Sequence, residues 1–263
     1  MKMTKIILAG LIMFGTIAFG QTSIHNIVND LWETNPYHLA TRSDTTRRAI
    51  WKYGHNHALS AANETVFCQG GLAQYINYGT LIDVVAVSAN DDTSGTGIQC
   101  VTIAGLDSSW NYSEETIRLA GGDTVATTGK FVRIFSLVAD TAGTGGVAAG
   151  DIKFQNTTND TTLISIQTGA TRAYAAMFTV PNGKTFYLKQ IYGSTAKAIF
   201  TTFSLWVRPQ GKAWYSLPGF QSWLSGMSLP FSIPYVITEK TDIELRAVGN
   251  VSDGSGGFIG WYE

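Results

Sequence analysis

Only two cysteines, Cys68 and Cys100, occur in 263 residues. No dense disulfide framework can brace the fold, and neither thiol has the spacing of a metal knuckle. Charge is scarce as well: Asp, Glu, Lys and Arg make up 14% of the chain, and the formal net charge is −1. That leaves no basic footprint of the kind phosphate backbones demand, so nucleic acid is not an expected partner. Histidine is confined to His25, His38, His55 and His57. A Ser-His-Asp triad would have to draw its base from that one segment, and no Gly-x-Ser-x-Gly elbow occurs. The apolar run from Ile6 to Phe19 falls short of the ~20 residues that a bilayer-crossing helix requires. Nor does any stretch carry the long helical pattern that a covered parallel sheet needs.

What remains is apolar and turn-rich, with 44% hydrophobic residues and 28 glycines. That composition suits flat β surfaces and a substantial core rather than disorder. At the start, Lys2 and Lys5 precede the apolar run, and Ala18 and Gly20 are small residues at a cleavage position. Residues 1–20 therefore read as a secretory signal peptide cut before Gln21, with an uncleaved hydrophobic arm or membrane anchor as the alternative. Export would permit a Cys68–Cys100 disulfide, and closing that loop of about 32 residues would contribute roughly 3 kcal/mol. Cytoplasmic assembly would leave two reduced, packed thiols. Both readings stand on sequence alone.

Residues 21–64 read as an N-terminal arm. Ile24, Ile27, Val28 and Leu31 fall at helical spacing until Asn35-Pro36 stops the pattern. The stretch from Thr41 to Tyr53 is polar and basic, then aromatic at Trp51 and Tyr53, as an arm packing on a neighbouring subunit or a surface loop would be. From Thr65 the period becomes two. Thr80–Ser88, Ile98–Ile103, Tyr112–Leu119, Phe131–Val138 and Asp151–Phe154 alternate apolar and polar residues between Gly/Asp/Ser/Thr turns. The polar stretch 155–161 marks a domain boundary, separating a β domain over 65–155 from a second over 160–263. The second holds short strands with turns every 8–12 residues, the spacing of a β-sandwich or jelly roll. The expected fold is all-β, with two such domains following the hydrophobic segment and the arm.

Five stretches combine into a further signal: Lys52-Tyr53-Gly54-His55-Asn56, Ser88-Ala89-Asn90-Asp91-Asp92-Thr93-Ser94-Gly95-Thr96-Gly97, Ile103-Ala104-Gly105-Leu106-Asp107, Ala148-Ala149-Gly150-Asp151-Ile152 and Glu239-Lys240-Thr241-Asp242-Ile243. In that order and spacing they resemble a family of virion proteins of tailed, mostly aquatic phages, over residues 47–263. The resemblance implies a non-enzymatic particle component: a capsid decoration, head fibre or tail-associated protein. Many low-charge strands leave β surface that invites association, so a homo-oligomer is expected; the resemblance favours a trimer before a dimer and implies contact with other virion proteins. A secreted carbohydrate-binding or adhesion module is the alternative that the signal-like start suggests, with a secreted or cell-surface location in place of the virion.

Three constellations invite chemistry. His55-Asn56-His57 could place two imidazoles on one face of a strand, but no third donor sits at a telling spacing, so a structural role and no metal are expected. Asn90–Gly95 clusters two carboxylates with hydroxyls that calcium would accept, yet Asp, Ser and Gly are ordinary turn residues. Glu114 and Glu115 are adjacent on a strand and point to opposite faces, which argues against a glycosidase pair. No catalytic set and no cofactor are expected. The aromatics Trp206, Trp214, Tyr215, Phe220, Trp223, Phe231 and Tyr235 crowd the second half, where they serve a core, an interface or a glycan platform. Trp223, Trp214 and Tyr215 are the candidates for glycan or partner contact, and Trp206 is assigned to the core.

Overall fold

In a computed structural model of the chain, residues 47–157, 161–196, 200–222, 226–249 and 252–263 are described. The signal-like segment, the expected helix near residues 24–31, His25, His38 and Trp223 lie outside them. The described residues are all-β, and no helix among them is long and apolar enough to cross a membrane. The strands are β1 (Arg48–Leu59), β2 (Glu64–Thr65), β3 (Ile82–Ala86), β4 (Ile98–Asp107), β5 (Tyr112–Arg118), β6 (Thr124–Ala126), β7 (Phe131–Ala142) and β8 (Ile152–Asn156). They continue as β9 (Thr162–Ile166), β10 (Met177–Thr179), β11 (Phe186–Thr195), β12 (Thr201–Pro209), β13 (Tyr215–Ser222), β14 (Met227–Ile237), β15 (Thr241–Val248) and β16 (Ser252–Tyr262).

Two sheets come from the middle of the chain, in the orders β6-β3-β8-β9 and β5-β4-β7. Two others, β1-β16-β11-β14 and β10-β15-β12-β13 with β2 on β15, join the beginning of the described chain to its end. This moves the expected boundary. The expected boundary falls between two paired strands: β8 and β9, on either side of it, pair Gln155 with Thr162 and Phe154 with Ile164. The change of sheet comes later, between β9 and β10. The region read as an arm is also part of the frame from residue 48 onward, because β1 lies beside β16 and β2 beside β15. A hydrophobic pattern cannot reveal such pairing between distant segments. Ile50–Glu263 group as one compact unit, and of Met1–Ala49, the other unit, only the last three residues are described.

Alternation explains the local structure. In β12, Thr201, Phe203, Leu205 and Val207 are buried while the residues between them are less covered. In β11 the inward set changes parity, from Phe186 and Leu188 to Ile191, because the register shifts at Lys189 against both neighbours. One extra residue restores the apolar face that a strict period of two would have turned outward.

The core is continuous from Leu59 to Tyr262. At its centre, Phe178 of β10 lies 4.9 Å from Phe135 of β7, 5.6 Å from Phe186 of β11 and 6.0 Å from Tyr262 of β16, ring centre to ring centre. One buried ring thus ties its own sheet to two others. Two glycines mark where backbones approach closely. A Cβ at Gly54 would lie 1.8 Å from the Val66 carbonyl oxygen, and one at Gly105 would lie 2.0 Å from that of Arg133. Neither position has room for a side chain.

Candidate functional site

β15 is buried on both faces. Ile243, Leu245 and Ala247 enter the apolar core, and the alternate residues Asp242, Glu244 and Arg246 form a charged layer. Asp242 takes two hydrogen bonds from Arg133, at 2.6 and 3.0 Å, and two from Arg208, at 3.0 and 2.7 Å. The Thr179 hydroxyl donates a further bond at 2.8 Å. Glu244 accepts from Thr65 at 2.8 Å and from Arg246 at 2.7 Å.

Over this layer, guanidinium groups and aromatic rings alternate. Arg133 lies 4.7 Å from the Trp110 ring and 5.1 Å from Tyr75. Arg208 lies 4.6 Å from Tyr75 and 4.7 Å from Trp214. Arg246 lies 4.5 Å from Trp214 and 4.9 Å from Trp206. Three guanidiniums face two carboxylates, and the electron-rich ring faces take up the remaining positive charge. Burial first, and then the Glu244 and Asp242 carboxylates, hold the Tyr75 phenol well above its ordinary value, so it stays protonated. The Tyr75 hydroxyl and Glu244 Oε1 are both buried. Trp214 is therefore a half-buried rung of this ladder and not a free platform, whereas Tyr215 beside it is exposed. Trp206 is displaced from its expected place: Leu205 and Val207 point into the core, and Trp206 faces the other way, onto Arg246.

The two cysteines are free thiols. Cys68, in the loop after β2, donates to the Ser165 carbonyl at 3.4 Å, and burial pushes its thiol pKa up. Cys100 sits in β4, flanked in the same sheet by Arg118 of β5 and Thr141 of β7. The turn offered as a calcium site spends its carboxylates on backbone. Asp91 is fully buried and accepts from the amides of Ile98, Ala149 and Gly150 at 2.8, 3.0 and 2.8 Å. Asp92 accepts from the Ser94 amide at 2.8 Å, which holds its carboxyl below the usual range.

Sequence reasoning missed a cleft of about 430 Å³ lined by Trp51, Lys52, Tyr53, Phe135, Arg172 and Tyr174 among others. The Lys52 ammonium donates to the Phe135 carbonyl at 2.6 Å and lies 4.7 Å from that ring. Burial, helped by Arg172, lowers its pKa to about 7. Trp51 at the mouth is 75% exposed, and Tyr53 packs edge-on against Tyr174 at 5.8 Å. The aromatic-basic-aromatic triplet Trp51-Lys52-Tyr53 was the available signal.

His55 and His57 lie on one face of β1 with ring centres 4.1 Å apart. The third donor missing from the sequence spacing arrives from β16: Asp253 Oδ1 is 3.7 Å from His57 Nδ1. Partial burial and then the neighbouring His57 lower the His55 pKa, with Asp253 opposing them.

Comparison of the chain with protein-family models and with curated proteins returned no match.

Proposed function

We propose that this chain is a non-enzymatic structural component of a virus particle, assembled as a homo-oligomer on other virion proteins. The observation that carries this reading is β14, an outer strand of its sheet. Ile233 and Val236 are 85% and 55% exposed there, with Met227 and Tyr235 exposed beside them. An apolar edge of this kind calls for a partner surface. Pro230 and Pro234 lie in the same strand, and proline lacks the amide that adding a further strand would use. Side-chain packing between copies, rather than sheet extension, therefore suits this edge.

The residues behind the phage-family resemblance fit the same reading. Gly54 and Gly105 permit close backbone approach, Asp91 ties two loops together, and Asp242 anchors two arginines. They are spent on frame rather than on a reactive centre. Light scattering tests the assembly: we expect an oligomer, a trimer before a dimer, that Ile233→Lys converts to monomers. A monomer at high concentration that also fails to join particles would overturn it.

The adhesion reading keeps a specific support in the cleft beside Trp51, where an exposed indole, Lys52 and Arg172 would suit an acidic sugar. A glycan array decides between them. Binding lost in Trp51→Ala with unchanged stability would favour the adhesion module.

A further inference from the structure

The chain brings two imidazoles and a carboxylate to one point on its surface. Their candidate ligand atoms all lie within 4.8 Å of one another. Around a tetrahedral ion, donors at bond lengths near 2 Å stand about 3.3 Å apart, so the cluster needs to contract by about 1.5 Å or less. The side chains that must move are free to do so, since those of His57 and Asp253 are 61% and 45% exposed. His55 is half-buried and fixes one corner. Strand geometry supplies the pair, because residues two apart on β1 face the same way, and β16 is the neighbouring strand that supplies the acid. The same exposure gives an ion its entry path.

We propose that His55, His57 and Asp253 bind one divalent transition-metal ion of the zinc class and so staple β1 to β16. Two imidazoles and one carboxylate suit zinc, nickel or cobalt and disfavour calcium or magnesium, which prefer oxygen donors throughout. Three protein donors leave a fourth position for water. The ion would join the first described strand to the last, a cross-link between distant segments in a protein whose two cysteines stay free.

The test uses the full chain, stripped with chelator and then titrated with zinc sulfate and, separately, cobalt chloride. We expect one zinc per chain with a Kd below about 10 µM. We also expect a rise in thermal unfolding temperature on loading, and the visible absorption of four-coordinate cobalt. His57→Ala and Asp253→Asn, both at exposed positions, should unfold normally without metal and lose affinity by about tenfold or more. Asp253→His should retain binding, because it replaces one donor with another. His25→Ala with His38→Ala should bind as the parent does. Affinity unchanged in His57→Ala and Asp253→Asn would overturn the proposal, as would the absence of stoichiometric binding at about 100 µM zinc.

Discussion

Asp242 is the residue on which most charge converges. Truncation to alanine leaves Arg133 and Arg208 without their shared carboxylate inside a covered layer. Breaking one partner of a buried pair typically costs about 3–5 kcal/mol, so Asp242→Ala should lower the urea midpoint sharply. Trp214→Ala removes a ring from two guanidiniums and should cost less, about 1–2 kcal/mol. Lys52 is a converse case, a cation the fold disfavours. Its folded pKa of about 7 lies below the usual 10.5, so the folded state holds fewer protons than the unfolded state between those values. Stability from this group therefore rises with pH across that window, and the penalty is fully present below about pH 7. Replacing it by methionine should stabilise the protein most at pH 6 and lose that advantage as pH approaches 10. Chemical denaturation at several pH values reads the difference directly.

At the level of elements, the buried Asp91 holds the β3–β4 turn against the approach to β8. Asp91→Ala leaves three amides without this acceptor, two of them, Ile98 and Gly150, in buried surroundings, and at about 1–3 kcal/mol for each buried unmet group the cost should reach roughly 2 kcal/mol or more. Hydrogen exchange of the Ile98, Ala149 and Gly150 amides should accelerate together, because one acceptor serves all three. Most strands here were legible from sequence, since alternation of the kind seen in Thr201–Pro209 depends only on neighbours along the chain. β1 was not. Its residues alternate between exposed and half-buried up to Tyr53, so nothing local separates it from a polar arm. The ladder was hidden for a related reason. Trp110, Arg133, Tyr75, Arg208, Trp214, Arg246 and Trp206 are scattered over more than half the chain, and only pairing between sheets assembles them. Asp242 stood in a recognised motif, but its bonds to Arg133 and Arg208 became visible only in three dimensions.

For the whole molecule, the frame joins both ends of the described chain around an aromatic centre at Phe178, and its apolar outer strand faces outward. Phe178→Ala should cost about 3–5 kcal/mol and loosen three sheets at once, whereas Ile233→Lys should leave the monomer stable and act on assembly alone. These two variants separate folding from association. The proposed place of the chain in a virus particle has one direct measurement, quantitative mass spectrometry of virus particles purified from a culture that expresses the chain. The expected result is this chain at a fixed copy number per particle, in multiples of its solution oligomer. Its absence from intact particles, with recovery instead from the host surface or the surrounding medium, would contradict the proposal.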